Sequence, residues 1–219
     1  MQLKGLKINF LGDSITQGGG ASRLKLTYVS QVAEHSGAIC RNYGIDGTRI
    51  AAQRASSRLP YHDLDFCYRY RFMSKDADVV AVFGGTNDYG HGDAPIGSFE
   101  DRTPESFYGA LHYLYSGLKE MYPKATIFVI TPLHRKGEDN DMGENSLKGK
   151  VYGDLKAYIK AICEVAAHYG LPVLDLYNES GMCADTEQNS KKYFKDGLHP
   201  NDLGHRIVAE KVVQFLKRL

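Results

Sequence analysis

The chain has 219 residues, 42% of them hydrophobic and 11% aromatic, which excludes a disordered polymer and allows a core that needs no disulfide or metal staple. Its 27 basic and 26 acidic residues nearly cancel, and basic residues adjoin only in pairs such as Lys191-Lys192, so no nucleic-acid partner is expected. Apolar runs are strand-sized, so no membrane span is expected; residues 1–7 lack the apolar stretch of a leader, and a cytoplasmic location is the expectation.

Residues 7–11 are a short apolar run closed by Gly12 and read as a buried strand. Residues 26–36 place Leu26, Val29, Val32 and Ala33 on one helical face, with Gly37 as the stop. Residues 38–43 read as a second strand. Residues 64–74 read as a helix, with Phe66, Tyr70 and Met73 at helical spacing. Val79–Phe83, five apolar residues between Asp78 and Gly84, is the clearest strand. After the glycine-rich loop 84–97, residues 104–122 read as a helix capped by Thr103, striped by Phe107, Leu111, Leu114 and Leu118, and ended by Pro123. Thr126–Ile130 is another strand. A polar loop over 134–146 leads to a helix over 147–169, ended by Gly170. Residues 173–176 are a short strand, and 202–217 close the chain as an amphipathic helix. Cys40, Cys67, Cys163 and Cys183 form no Cys-x-x-Cys pair and read as free thiols.

Short, unbroken apolar strands alternating with helices predict a parallel sheet covered on both faces: a three-layer α/β/α sandwich of about five strands. No repeat, low-complexity tract or linker interrupts it, so residues 1–219 read as one domain. Open sheets of this kind take ligands beyond the carboxyl ends of their strands. Polar, glycine-rich clusters follow the first three strands, as that rule requires.

After the first strand comes Gly12-Asp13-Ser14-Ile15-Thr16-Gln17-Gly18. Ser14 there is either a nucleophile awaiting a base or the cap of the next turn. After the second comes Asn42-Tyr43-Gly44-Ile45-Asp46-Gly47, whose Gly47 can present a bare backbone N–H to a ligand or simply make a turn. After the third comes Gly84-Gly85-Thr86-Asn87-Asp88-Tyr89-Gly90. Asn87 offers a neutral amide donor suited to a transient oxyanion, with an Asx turn as the plainer alternative. Near the end, Asp196-Gly197-Leu198-His199-Pro200 spaces a carboxylate and an imidazole at i, i+3. At a helix start this can put them side by side, or leave a capping Asp and an incidental His. No Gly-x-Ser-x-Gly elbow, Gly-x-Gly-x-x-Gly fingerprint, P-loop lysine or His-Glu-x-x-His cluster appears, so neither nucleotide nor metal is expected.

Taken together, the Gly12-Asp13-Ser14, Asn42-x-Gly44-x-x-Gly47, Gly85-Thr86-Asn87-Asp88 and Asp196-x-x-His199-Pro200 blocks resemble those of the SGNH hydrolases, or GDSL esterases/lipases, in the family's order, over residues 7 to 200. The resemblance implies a flavodoxin-like sandwich and a cofactor-free serine esterase acting on a small-molecule ester. In it Ser14 is the nucleophile, His199 the base and Asp196 the residue that orients the base. The N–H groups of Ser14 and Gly47 and the Asn87 amide form the oxyanion hole. Asp13, Arg49, Tyr89 and His91, with Asp93 nearby, are candidate substrate contacts, because polar loop residues just past strands form a rim. A polar, aromatic rim favours a short acyl group such as acetyl on a polar or carbohydrate carrier. A lysophospholipase or acyl-thioesterase with a longer acyl slot is the alternative, and a non-catalytic binding module on the same scaffold is a third reading.

Overall fold

The computed structural model describes residues 2–141, 143 and 153–219. Its strands are β1 (Lys7–Gly12), β2 (Ile39–Gly44), β3 (Val79–Phe83), β4 (Thr126–Ile130) and β5 (Val173–Leu174), all parallel, in the order β2-β1-β3-β4-β5. β3 is buried from end to end, because helices cover both faces of the sheet; that is why its sequence shows no polar alternation. On one face Val80 and Val82 meet α3 (Phe66–Arg69), α5 (Phe107–Met121) and α6 (Leu155–His168). On the other, Val79, Ala81 and Phe83 meet α2 (Tyr28–Ser36) and α9 (Asp202–Arg218). Each fully buried Leu, Val or Phe contributes about 1.5–3 kcal/mol to these layers.

The remaining α-helices are short: α1 (Ser14–Gln17), α4 (Thr86–Gly90), α7 (Leu176–Glu179) and α8 (Glu187–Tyr193). None of these four is expected from the sequence, since a helix of one or two turns carries no readable periodicity.

Boundaries also differ. The helix expected over 26–36 starts at Tyr28, because Thr27 caps it after a 3-10 turn, Leu24–Leu26. The helix expected over 104–122 starts at Phe107, because Ser106 rather than Thr103 caps it, accepting the Gly109 N–H, while Phe107 and Tyr108 donate to the carbonyls of Pro95 and Ile96. The helix expected over 64–74 is α3 followed by a 3-10 turn, Tyr70–Phe72. The strand expected over 173–176 stops at Leu174, where Asp175 caps α7. Of the helix expected over 147–169, α6 is the described part, capped by Asp154; residues 147–152 lie outside the described residues, as do 142 and 144–146 of the preceding loop.

β1 sits between β2 and β3, so the chain builds first toward one edge and then toward the other. A crevice opens at the carboxyl end of such a switch point. Gly12 lies level with Gly44 of β2 and Phe83 of β3, so the loops that leave these three strands start from one line.

Candidate active site

Gly12 ends β1 where there is no room for a side chain: a Cβ would fall 1.9 Å from Thr16 Oγ1 and 3.0 Å from the Phe83 carbonyl. Asp13 then caps α1, accepting the Ile15 N–H at 2.9 Å, and Ser14 follows as the first helical residue. The cap is therefore Asp13, and the Ser14 hydroxyl is left to face His199, whose Nε2 lies 3.0 Å from Ser14 Oγ. His199 Nδ1 lies 2.7 Å from Asp196 Oδ2. A carboxylate beside Nδ1 favours the tautomer that donates from that nitrogen, which leaves the Nε2 lone pair for the serine proton.

The Asp196–His199 pair does not sit on a helix start. α9 begins at Asp202 under an Asn201 cap, and 196–200 is a loop. Asp196 Oδ1 accepts the N–H groups of Leu198 (3.0 Å) and His199 (2.8 Å), which turns the chain so that the imidazole returns to Oδ2. Burial alone would raise the Asp196 carboxyl; these N–H donors and the imidazole outweigh it and hold the group below its ordinary value.

Gly47 has φ +67°, and a Cβ there would lie 2.4–2.5 Å from the His62 ring, so both the backbone and the neighbour demand glycine. Asn87, buried at the start of α4, donates from Nδ2 to the Thr48 carbonyl at 3.0 Å. That bond uses one amide hydrogen, places Asn87 next to the Gly47 loop and leaves the second hydrogen for a ligand. The buried Asp88 accepts the N–H groups of Ile50 and Ala51 at 2.9 Å, and Asp93 accepts those of Arg54 and Ala55 at 2.9 and 2.8 Å. Carboxylates from the β3 loop thus hold the β2 loop against it.

A cavity of about 520 Å³ opens on Ser14 and His199, lined also by Gln17, Leu24, Asp46 and Lys195. A larger one, about 650 Å³, adjoins it at Lys195 and Asp196 and does not touch Ser14.

The expected substrate contacts sit elsewhere. Asp13 is 2% exposed and occupied as a cap; burial pushes its carboxyl up to about 6, against the Ile15 N–H and the charges of His199 and Arg69. Arg49, also 2% exposed, donates to Ser57 Oγ (2.8 Å) and Asp63 (2.9 Å), and its other terminal nitrogen lies 3.2 Å from His91 Nδ1. Tyr89 is buried, with its hydroxyl on the carbonyls of Gly137 (2.5 Å) and Asn140 (2.9 Å). Asp13, Arg49, Tyr89 and His91 do not line the Ser14 cavity; their polar groups tie loops together instead. Arg135, one of the adjoining pair Arg135-Lys136, is likewise buried and donates to the carbonyl and hydroxyl of Thr86. Among the described residues no cluster of His, Cys, Asp and Glu is disposed to hold a metal ion.

Arg69 is a residue the sequence reading missed. It is buried beneath the site, over the Phe66 ring at 4.6 Å, and donates to the carbonyls of Gly12, Tyr43 and Leu64 and to Thr48 Oγ1. Burial pulls its guanidinium down to about 10, still charged at neutral pH. Two cations, Arg69 and Arg71, interrupt the apolar stretch from Phe66 to Met73, and nothing in that local pattern says that Arg69 is the buried one.

Known proteins share this arrangement of elements. The GDSL-like Lipase/Acylhydrolase family matches over residues 10–207. An acetylxylan esterase of Xylanibacter ruminicola is 26% identical across 97% of this chain, which spans 43% of that relative's length. A solved structure from Lactobacillus plantarum is 33% identical with a TM-score of 0.83, covering 99% of this chain and 98% of that one. The lipase/acylhydrolase of Enterococcus faecalis shares the fold at 20% identity, with a TM-score of 0.64 and coverage of 97% and 96%. The chain belongs to the GDSL-like lipase/acylhydrolase family.

Proposed function

We propose that the chain is a serine esterase that removes a short acyl group, such as acetyl, from a polar or carbohydrate carrier. The observation that carries this reading is the unbroken relay from Ser14 Oγ through His199 to Asp196 at the mouth of an open cavity. A serine hydroxyl is a weak nucleophile until a base takes its proton. His199 Nε2 accepts that proton as Ser14 Oγ attacks the ester carbonyl, and Asp196 stabilises the imidazolium. The N–H groups of Ser14 and Gly47 and the second amide hydrogen of Asn87 receive the oxyanion. His199 then returns the proton to the departing alkoxide. Water enters and gives one proton to His199 as its oxygen attacks the acyl carbonyl; the bond to Ser14 Oγ then breaks, His199 returns the proton to that oxygen, and the acid leaves.

The acyl preference rests on the cavity walls. Beside Ser14 they are Gly18, Gly19 and Gly20 with polar Gln17, Asp46 and Lys195; among the described residues Leu24 is the one large apolar side chain there. Burying an alkyl tail contributes about 0.8 kcal/mol per methylene. A wall of this composition forgoes that gain for a long chain. The acetylxylan esterase relative is in keeping with a short acyl group on a sugar polymer. A series of p-nitrophenyl esters tests this: kcat/KM should peak at acetate and fall with each added carbon pair. A maximum at octanoate or beyond would replace it with the lysophospholipase or acyl-thioesterase reading.

A further inference from the structure

His205 lies on α9, one helical turn into the segment that follows His199, and is fully buried. Its Nδ1 accepts the Tyr28 N–H at 3.2 Å, and its Nε2 donates to the Gly19 carbonyl at 3.0 Å. An N–H can only donate and a carbonyl can only accept, so these two partners define a neutral imidazole protonated at Nε2. Burial also holds this group below the ordinary imidazole value.

Gly19 stands between the two histidines. Its N–H donates to the Ser14 carbonyl at 2.7 Å. Its bare Cα faces the catalytic imidazole: a Cβ would lie 2.9 Å from His199 Cδ2. At Gly20, a Cβ would lie 3.0 Å from His199 Cβ and 2.2 Å from the Pro200 carbonyl. The glycine run is therefore a backbone wall against which the ring of His199 rests, and His205 grips that wall from behind.

We propose that His205 is a positioning residue for the Ser14–His199 pair. By holding the Gly19 carbonyl it fixes the wall, and the wall fixes the imidazole at hydrogen-bond distance from Ser14 Oγ. The inference rests on the reading of Ser14 as nucleophile and His199 as base. His205 itself touches no reacting atom. A displacement of about 1 Å at such a contact can cost on the order of 100-fold in rate.

Two isosteric substitutions separate the ring nitrogens. In His205→Asn the side-chain oxygen sits near the Nδ1 position and keeps the Tyr28 N–H, but nothing reaches Gly19. In His205→Gln the terminal amide sits near the Nε2 position and can still donate to Gly19, while the bond to Tyr28 is lost. The loop stays tethered in both, because Ser22 donates to Asp202 through its N–H and its hydroxyl, each at 2.7 Å. With p-nitrophenyl acetate, His205→Asn should lower kcat by about 10- to 100-fold with KM within about twofold of wild type. His205→Gln should keep kcat within about threefold, and both should remain folded by circular dichroism. Full kcat in His205→Asn, or equal losses in both variants that track lost Tm, would overturn the inference. Should His205→Asn not fold, Gly19→Ala decides: it leaves His205 intact and pushes a methyl onto His199 Cδ2, and an unchanged kcat would show that the wall does not set the ring. An inactive wild type would remove the nucleophile–base reading, and this inference with it.

Discussion

Replacing Ser14 with alanine is expected to lower kcat/KM for p-nitrophenyl acetate by on the order of 10⁴- to 10⁶-fold, the range found when a nucleophile is removed from an intact serine–histidine relay. The fold should barely notice. Asp13 caps α1, so the serine hydroxyl holds no helix end, and alanine is at home in a first helical turn. What is lost is one hydrogen bond to a half-buried imidazole, about 1 kcal/mol or less. Tm measured by circular dichroism should therefore stay within about 4 °C of wild type. Activity within tenfold of wild type would remove Ser14 from the chemistry, and a collapse of Tm would make its loss of activity uninformative.

Replacing Arg69 with methionine should have the largest effect on stability of any change beneath the site. Methionine keeps the stem and its contact with Phe66 but donates nothing. The Gly12 and Tyr43 carbonyls at the ends of β1 and β2 lose a charged donor, as do the Leu64 carbonyl and Thr48 Oγ1. A buried acceptor left without its partner costs about 1–3 kcal/mol, and breaking a buried charged network about 3–5 kcal/mol. We expect urea unfolding to show a loss of about 3–5 kcal/mol, with Tm lower by roughly 6–20 °C. Lysine should not rescue it, since one ammonium cannot reproduce the planar fork that reaches three carbonyls. A loss below about 1 kcal/mol would mean that these carbonyls find water instead.

What could be read in the sequence depended on how local its cause is. Val79–Phe83 and Thr126–Ile130 match their expected bounds, because a strand buried on both faces has no choice but to be apolar throughout. Asp196 and His199 could be paired from their spacing, although the turn that joins them is a loop rather than a helix start. The contact of His199 with Ser14 spans 185 residues, and no local pattern reports it; only the resemblance of four scattered blocks did. Arg49 and Tyr89 look like rim residues because polar groups just past a strand are usually wet. They are dry because Asp63 and the 137–140 carbonyls meet them, and those partners are distant in the chain. Arg69, Asp88 and His205 share that character: each is a buried polar group whose meaning lies in what it is bonded to.

The most direct test of the central claim is covalent. Treatment with a p-nitrophenyl organophosphonate, followed by intact mass and peptide mapping, should yield one adduct per chain, on Ser14, and none on the Ser14→Ala protein. An active enzyme that takes up no label, or carries it on another residue, would contradict the account.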